Sequence, residues 1–409
     1  MIRGAGLTLA LAGLAACAGT PAPKPPTPTP DTAGAHPAPP AAPVPLPAPL
    51  PAPAAALVRR PASVRLAFVG DINLGTATLP DGVPPDTGRG LLGAARPALV
   101  GDLVVGNFEG VLADTGTSEK CERMRAQEDR PRPPRKRQHQ LADTASARPG
   151  CYAFRTPTAL APRLVDAGFT HLNLANNHAN DYGPAGRAST ERILDSLGLR
   201  RYGPLGRIAI DTVRRGDSLT TVGLIGFATY PYAYDLLDIG RSAAVVDSIR
   251  PLVDLLIVTF HGGSEGVRAL HVPETAESLG REPRGDLRRW ARAVIDAGAD
   301  AVVGHGPHVL RGIEFYRDRP VAYSLGNFVT YRGFNLEGPL GVTGVLQLEF
   351  APDRRLRRAR LVPMVQRPRE GPAPDPAGAA LDLVRSLSAD DFGGNAARVS
   401  EYGEISAPN

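Results

Sequence analysis

The stretch His171-Leu-Asn-Leu-Ala-Asn-Asn-His178-Ala-Asn-Asp181-Tyr-Gly183 decides how the rest of the chain is read. Ahead of it, Phe169–Leu174 alternates apolar and polar residues, as a half-buried strand does. Behind it, Pro184 to Leu197 reads as a helix with proline in its first turn. Asn176, Asn177, His178, Asn180 and Asp181 therefore crowd one strand-to-helix loop. Open α/β sheets bind their ligands beyond the carboxyl ends of strands. Asn and Asp are also ordinary turn residues, so the stretch gains meaning only if other strands end in the same way.

They do. Val64–Val69 is a strand that ends in Gly70-Asp71-Ile72-Asn73, and Asp102–Val105 is one that ends in Gly106-Asn107-Phe108-Glu109-Gly110. Leu255–Thr259 runs into Phe260-His261-Gly262-Gly263-Ser264-Glu265, and Ala301–Val303 into Gly304-His305-Gly306-Pro307-His308. Thr220–Gly226, Val321–Leu325, Val342–Phe350 and Arg357–Val362 supply further strands. Leu91–Val100, Pro157–Ala167 (capped by Thr156) and Asp286–Ala297 read as helices. Of the 8 histidines, His178, His261, His305 and His308 all fall at strand ends.

Carboxylate, imidazole and Asn carbonyl ligands together suit Mn, Zn or Fe better than a thiolate-loving site. Two divalent cations about 3.5–4 Å apart could activate water and hold both oxygens of a phosphoryl transfer. In this reading Asp71 and His308 hold the first cation, Glu109 bridges or binds both, and Asn177, His261 and His305 hold the second. His178, oriented by Asp181, stands outside the coordination sphere and protonates a leaving oxygen.

The chain has 409 residues, is 43% hydrophobic and carries a formal charge of +5. The positive balance is nearly all Arg and is not gathered into one stripe. No nucleic-acid motif is visible, so no nucleic-acid partner is expected. Residues 1–16 read as an export signal too short to span a bilayer. Leu14-Ala15-Ala16-Cys17 resembles a bacterial lipobox with Cys17 as the lipidated residue; an ordinary secretory signal with a chance Cys is the alternative. Residues 17–60 form a Pro/Ala-rich spacer, about 3.1 Å per residue where extended. A domain over 61–370 follows, and 371–409 reads as a tail with a short helix. An insertion at about 114–150 carries the basic run Arg130–Arg137, either a solvated loop or a clamp for a polyanion. Cys121 and Cys151 bracket it. In an exported chain they pair naturally as a disulfide, with two free thiols as the alternative.

The ordered set Gly70-Asp71-Ile72-Asn73, Asn107-Phe108-Glu109-Gly110, Asn176–Gly183, His261-Gly262, Gly304–His308 and Tyr323–Phe328 resembles the CapA family of poly-γ-glutamate capsule biosynthesis proteins, within the calcineurin-like metallophosphoesterases. The resemblance covers roughly 64–365. It implies a four-layer αββα sandwich, an α/β fold of two mixed β-sheets flanked by helices, with the metal centre at the sheet edges. It also implies an exported protein, tethered to the membrane and facing the periplasm or cell exterior, that works on an anionic envelope polymer such as poly-γ-glutamate, within a capsule synthesis complex. The wider superfamily usually has Asp-x-His where this chain has Asp71-Ile72-Asn73. Here Glu109 stands for its bridging Asp, and His305-x-x-His308 for its Gly-His-x-His. Three functions are compatible with this reading: a metal-dependent hydrolase or transferase, a non-catalytic assembly or export component, and a periplasmic phosphatase or nucleotidase.

Overall fold

The computed structural model describes residues 62–118, 121–122 and 151–408. The expected signal, Cys17, the spacer and the basic run Arg130–Arg137 lie outside them.

Nine strands position the site: β1 (Val64–Asn73), β2 (Leu103–Phe108), β3 (His171–Asn173), β4 (Ser218–Ala228), β5 (Leu255–His261), β6 (Ala301–His305), β7 (Asn327–Thr330), β8 (Val342–Phe350) and β9 (Leu356–Val365). In the first sheet β9, β8, β1, β2 and β3 are successive neighbours, and β7 pairs with the end of β1. β1, β2 and β3 run parallel, while β8 is antiparallel to both β1 and β9. In the second sheet β4, β5 and β6 are parallel, with antiparallel strands Ala209–Arg215 and Ile313–Tyr316 at its margins.

The two sheets face one another. Leu66, Phe68, Leu103 and Val105 of the first pack in one apolar cluster with Leu224, Leu255, Ile257, Ala301 and Val303 of the second. Helices cover the outer faces. Against the first sheet lie α1 (Pro162–Ala167) and α2 (Gly183–Ser196), through Leu164, Ala167 and Leu194. The second carries α3 (Ile239–Ile249) and α4 (Leu287–Asp296), each capped by an Asp side chain, Asp238 and Asp286. The buried face of α4 recurs at helix spacing as Leu287, Trp290, Ala291 and Val294. Trp290 stands edge-on to Phe227 of β4 and Phe260 of β5, with ring centroids 5.3 Å away in each case. The result is the four-layer αββα arrangement.

Strand alternation explains which residues reach the space between the sheets. In β2, β5 and β6 every second residue faces inward, so Leu103 and Val105 lead to Asn107, Ile257 to His261, and Val303 to His305. β1 breaks this rule. Leu66 and Phe68 face the other sheet and Ala67 and Val69 face the helices, yet beyond them Ile72 and Leu74 are on the helix side. The pairing of β1 with β2 slips between Phe68 and Asp71. That one-residue bulge turns Asp71 and Asn73 inward. Gly70 sits at the slip because a Cβ there would lie 1.9 Å from the carbonyl oxygen of Gly326.

Several expectations need correcting. Leu91–Val100 is a run of turns with a short 3-10 helix at Arg96–Ala98, because Gly93 and Pro97 interrupt any longer helix. The segment before β3 splits at Pro162 into a 3-10 turn and α1, and Thr156 caps neither, its hydroxyl donating to the Gly75 carbonyl instead. The strand placed at Val321–Leu325 is Arg319–Ala322. Residues 371–409 are not a tail. Helix α5 (Ala379–Phe392) buries Ala380, Leu381 and Val384 in the inter-sheet core, and Arg398–Val399 and Glu404–Ser406 extend the first sheet beyond β9. The Pro/Ala composition near 372–378 concealed a short link into a packed helix. Cys121 and Cys151 are joined, with Cα atoms 5.2 Å apart.

Gly70→Ala tests the bulge. Overpacking a core costs about 1–3 kcal/mol, and here the obstacle is backbone that cannot swing aside. The variant should lose several degrees of melting temperature or fail to accumulate. Gly394→Ala, where an added Cβ meets nothing within 4 Å, should melt like the parent.

Candidate metal centre

The two sheets contribute different chemistry to one point between them. Asp71, Asn107 and Glu109 come from the ends of β1 and β2, and His261 and His305 from the ends of β5 and β6. Asp71 is in register with Asn107 on one side and Asn327 on the other, and His261 with His305. One ligand atom each from Asp71, Glu109 and His261 lies within 4.8 Å of the others, and all three residues are buried. His305 Nδ1 is 3.8 Å from Asp71 Oδ1. His308 Nδ1 is 3.0 Å from Asp71 Oδ2, and its Nε2 is 3.7 Å from Glu109 Oε1.

The loop after β3 stands over this group. His178 Nδ1 is 2.7 Å from Asp181 Oδ2, which also accepts from the Phe154 backbone amide at 2.8 Å. His178 Nε2 is 3.9 Å from Glu109 Oε1. Asn176 is fully buried and structural: its amide donates to Asn107 Oδ1 and to the Phe108 carbonyl, and its oxygen accepts from the His178 backbone. Asn177 lines the adjoining cavity, and its Oδ1 has no hydrogen-bond partner.

His261, expected at the second cation, comes within 4.8 Å of Asp71, expected at the first, because the ends of β1 and β5 meet across the sheet interface. Asn107 was overlooked as a site residue. Its amide nitrogen is 2.8 Å from Asp71 Oδ1 and 3.4 Å from both Glu109 Oε2 and His261 Nδ1, so it joins all three. Alternation along β2 was the signal, since Asn107 and Glu109 share a face. Asn73, at the end of β1, donates to the Glu109 carbonyl and accepts from the Gly75 amide, so its side chain is already engaged.

The electrostatics suit a cation. Burial alone would raise the Asp71 pKa, but its hydrogen bond to His308 and the charges of His308, His305 and His261 hold it below the usual carboxylate range. Glu109 is pushed well up, first by burial and then by the charge of Asp71. Burial depresses His305 to about 4 and holds His261 well below the usual imidazole range, with Arg284 adding to the effect on His261. Burial opposes charge on His308 too, but its bond to Asp71 outweighs this and raises it. Two imidazoles are thus neutral, as ligands must be. Glu109 Oε1, His261 Nε2 and His305 Nδ1 are buried without a hydrogen-bond partner. A buried unpaired polar atom costs about 1–3 kcal/mol. These orphaned atoms, a neutral imidazole pair and two carboxylates fit a divalent ion.

The model of the bacterial capsule synthesis protein PGA_cap matches residues 138–332. The PGA biosynthesis protein CapA of Bacillus subtilis is 32% identical over 188 residues, 42% of this chain and 45% of that protein. The capsule biosynthesis protein CapA of Bacillus anthracis is 31% identical over 188 residues, 42% of each chain. The chain therefore spans less than half the length of these curated relatives. Among solved structures, a 5'-nucleotidase precursor from Thermus thermophilus is 14% identical with a TM-score of 0.37, over 80% of this chain and 59% of that one.

Metal addition tests the centre directly. At about 100 times Kd, a bound ion adds about 2.7 kcal/mol of stability. Mn²⁺ or Zn²⁺ should raise the melting temperature of the parent protein by several degrees, and the rise should vanish in Asp71→Asn. An equal metal-induced shift in both would remove Asp71 from the ligand set. Over residues 138–332 the chain matches the family of bacterial capsule synthesis proteins, and it is similar to the CapA proteins of both bacilli.

Proposed function

We propose that the chain is a metal-dependent hydrolase or transferase of capsule assembly, exported and lipid-anchored, acting on an anionic envelope polymer. The observation that carries this reading is the meeting of Asp71, Glu109 and His261 within 4.8 Å, with the His178–Asp181 pair beside them. A divalent cation bound there supplies Lewis acidity toward the reacting group and makes water a better nucleophile at neutral pH. The chain's own residues do the rest. Asp181 accepts the Nδ1 proton of His178 and so fixes which ring nitrogen faces the centre. From there Nε2 can pass a proton to a leaving oxygen. Phe154, its ring centroid 4.4 Å from that of His178, limits the water around the imidazole. A second reading, ligand binding without turnover, draws on the neutral amides of Asn73, Asn107 and Asn173, which crowd the centre without adding negative charge.

General acid catalysis contributes about 10²–10⁴-fold. His178→Ala should lower kcat on bis(4-nitrophenyl) phosphate by that factor while bound metal, measured by plasma mass spectrometry, stays at parent level. Unchanged activity in His178→Ala, or a parent protein that retains no metal, would defeat the hydrolase reading. The anchor reading rests on Leu14–Cys17 alone, since the described residues hold no helix long and apolar enough to cross a membrane. Cys17→Ser should move the chain from the membrane fraction to the soluble fraction.

A further inference from the structure

A cavity of about 620 Å³ opens beside the centre, with His178 and His308 in its wall. Its lining has a consistent chemistry. Tyr152, Phe154, Tyr230, Tyr232 and Phe334 supply aromatic surface. Phe154 and Phe334 stack with centroids 4.8 Å apart, and Phe334 also stands edge-on to the His308 ring at 5.1 Å. Tyr230 and Tyr232 lie nearly parallel, 10° between planes, with centroids 5.7 Å apart. At the mouth Tyr152 is 63% exposed and Leu279 39%, a wet apolar rim.

Apart from the His178 and His308 imidazoles and the tyrosine hydroxyls, the polar lining is acidic or amide: Glu265, Glu282 and Asp181 with Asn177, Asn180 and Asn335. No Arg or Lys lines the cavity among the described residues. The Arg284 guanidinium, bonded to two of the lining carboxylates, is fully buried and already spent. It donates to the Gly263 carbonyl, to the Tyr230 hydroxyl, to Glu282 at 3.1 Å and to Glu265 at 2.9 Å. Arg284 thus holds two carboxylates at the cavity rather than offering its charge to a ligand.

A run of carboxylates such as a γ-glutamyl chain would meet the carboxylates of Glu265, Glu282 and Asp181 here, with no Arg or Lys among the described lining residues to answer them. Flat aromatic faces beside fixed carboxylate and amide acceptors suit another chemistry: a ring with apolar C–H faces and hydroxyl donors at its edge. We propose that this cavity binds an uncharged sugar ring, placing the group attached to it at the metal centre. The polymer acted on would then be anionic through its linkages rather than its repeating side chains. This rests on the metal-centre reading for the reaction, but not for the binding.

The test is therefore a binding measurement without turnover. Saturation-transfer NMR on the full chain would survey glucose, galactose, N-acetylglucosamine and N-acetylmannosamine oligomers, adenosine, and γ-linked hexaglutamate. We expect ring-proton saturation for at least one sugar, reduced at least fivefold in Phe334→Ala and in Glu282→Gln, which keeps an acceptor for Arg284 and Tyr230, with both variants keeping the parent melting temperature. Because Glu282 is at the cavity edge, its loss also reports binding should Phe334→Ala fail to fold. Hexaglutamate should give no signal that depends on either residue. Absence of saturation across all the sugars, or a Phe334-dependent signal from hexaglutamate or adenosine in their place, would overturn the proposal. Sugar binding in a protein inactive on bis(4-nitrophenyl) phosphate would count against the hydrolase reading alone. Activity without sugar binding would count against this inference alone.

Discussion

The centre depends on a one-residue slip in β1. A strand that kept strict alternation would send Asp71 to the helix side, with Ala67 and Val69, and leave the imidazoles of β5 and β6 facing apolar residues. The slip between Phe68 and Asp71 reverses this and sets a buried carboxylate opposite two buried histidines. The room for it comes from Gly70, whose bare backbone lies against Gly326 while the Asp71 amide donates to the Gly326 carbonyl at 2.8 Å. One glycine contact thereby ties the first ligand to the segment that leads into β7. A bulge beside a functional residue re-aims a side chain at the cost of a locally irregular ladder.

That device is also where the sequence was least legible. In β2, β5 and β6 inward residues continue straight into Asn107, His261 and His305, so alternation plus a polar strand end sufficed to find them. In β1 both faces are buried, and Leu66-Ala67-Phe68-Val69 gives no contrast from which to count. Asp71 could be recognised as a ligand by its motif but not placed by periodicity. Asn107 was missed for a different reason. As a neutral amide it attracts no attention beside Glu109, although its position in register with Asp71 makes it the centre's hub. The C-terminal segment was misread because its Pro/Ala composition here merely precedes α5. Composition describes a chain's tendency, whereas burial of Ala380, Leu381 and Val384 requires the partner surface to be known.

Arg284 belongs to the same class of residue invisible to motif reading. It is charged, fully buried and lies in a short hairpin strand, so nothing in its sequence neighbourhood marks it. Its hydrogen bonds tie the loop after β5, through Gly263 and Glu265, to Glu282 and Tyr230. A buried guanidinium is tolerated only when its donors are matched. Here the matching groups also shape the cavity beside the metal centre, so the packing demand and the ligand surface have one physical origin.

The division of labour between the sheets has a consequence for how the centre is kept assembled. Asp71, Asn107 and Glu109 come from one sheet and His261 and His305 from the other, so neither sheet alone assembles the group. Their separation is set by the apolar layer between them, from Phe68 and Val105 on one side to Ile257 and Val303 on the other. Helix α5 and the last strands close that layer at its margin, far along the sequence from any ligand. Close-packed interiors transmit small displacements rather than absorbing them, and ligand atoms need placement to within a few tenths of an ångström. The C-terminal segment therefore packs into the same apolar layer across which Asp71 and Glu109 meet His261 and His305.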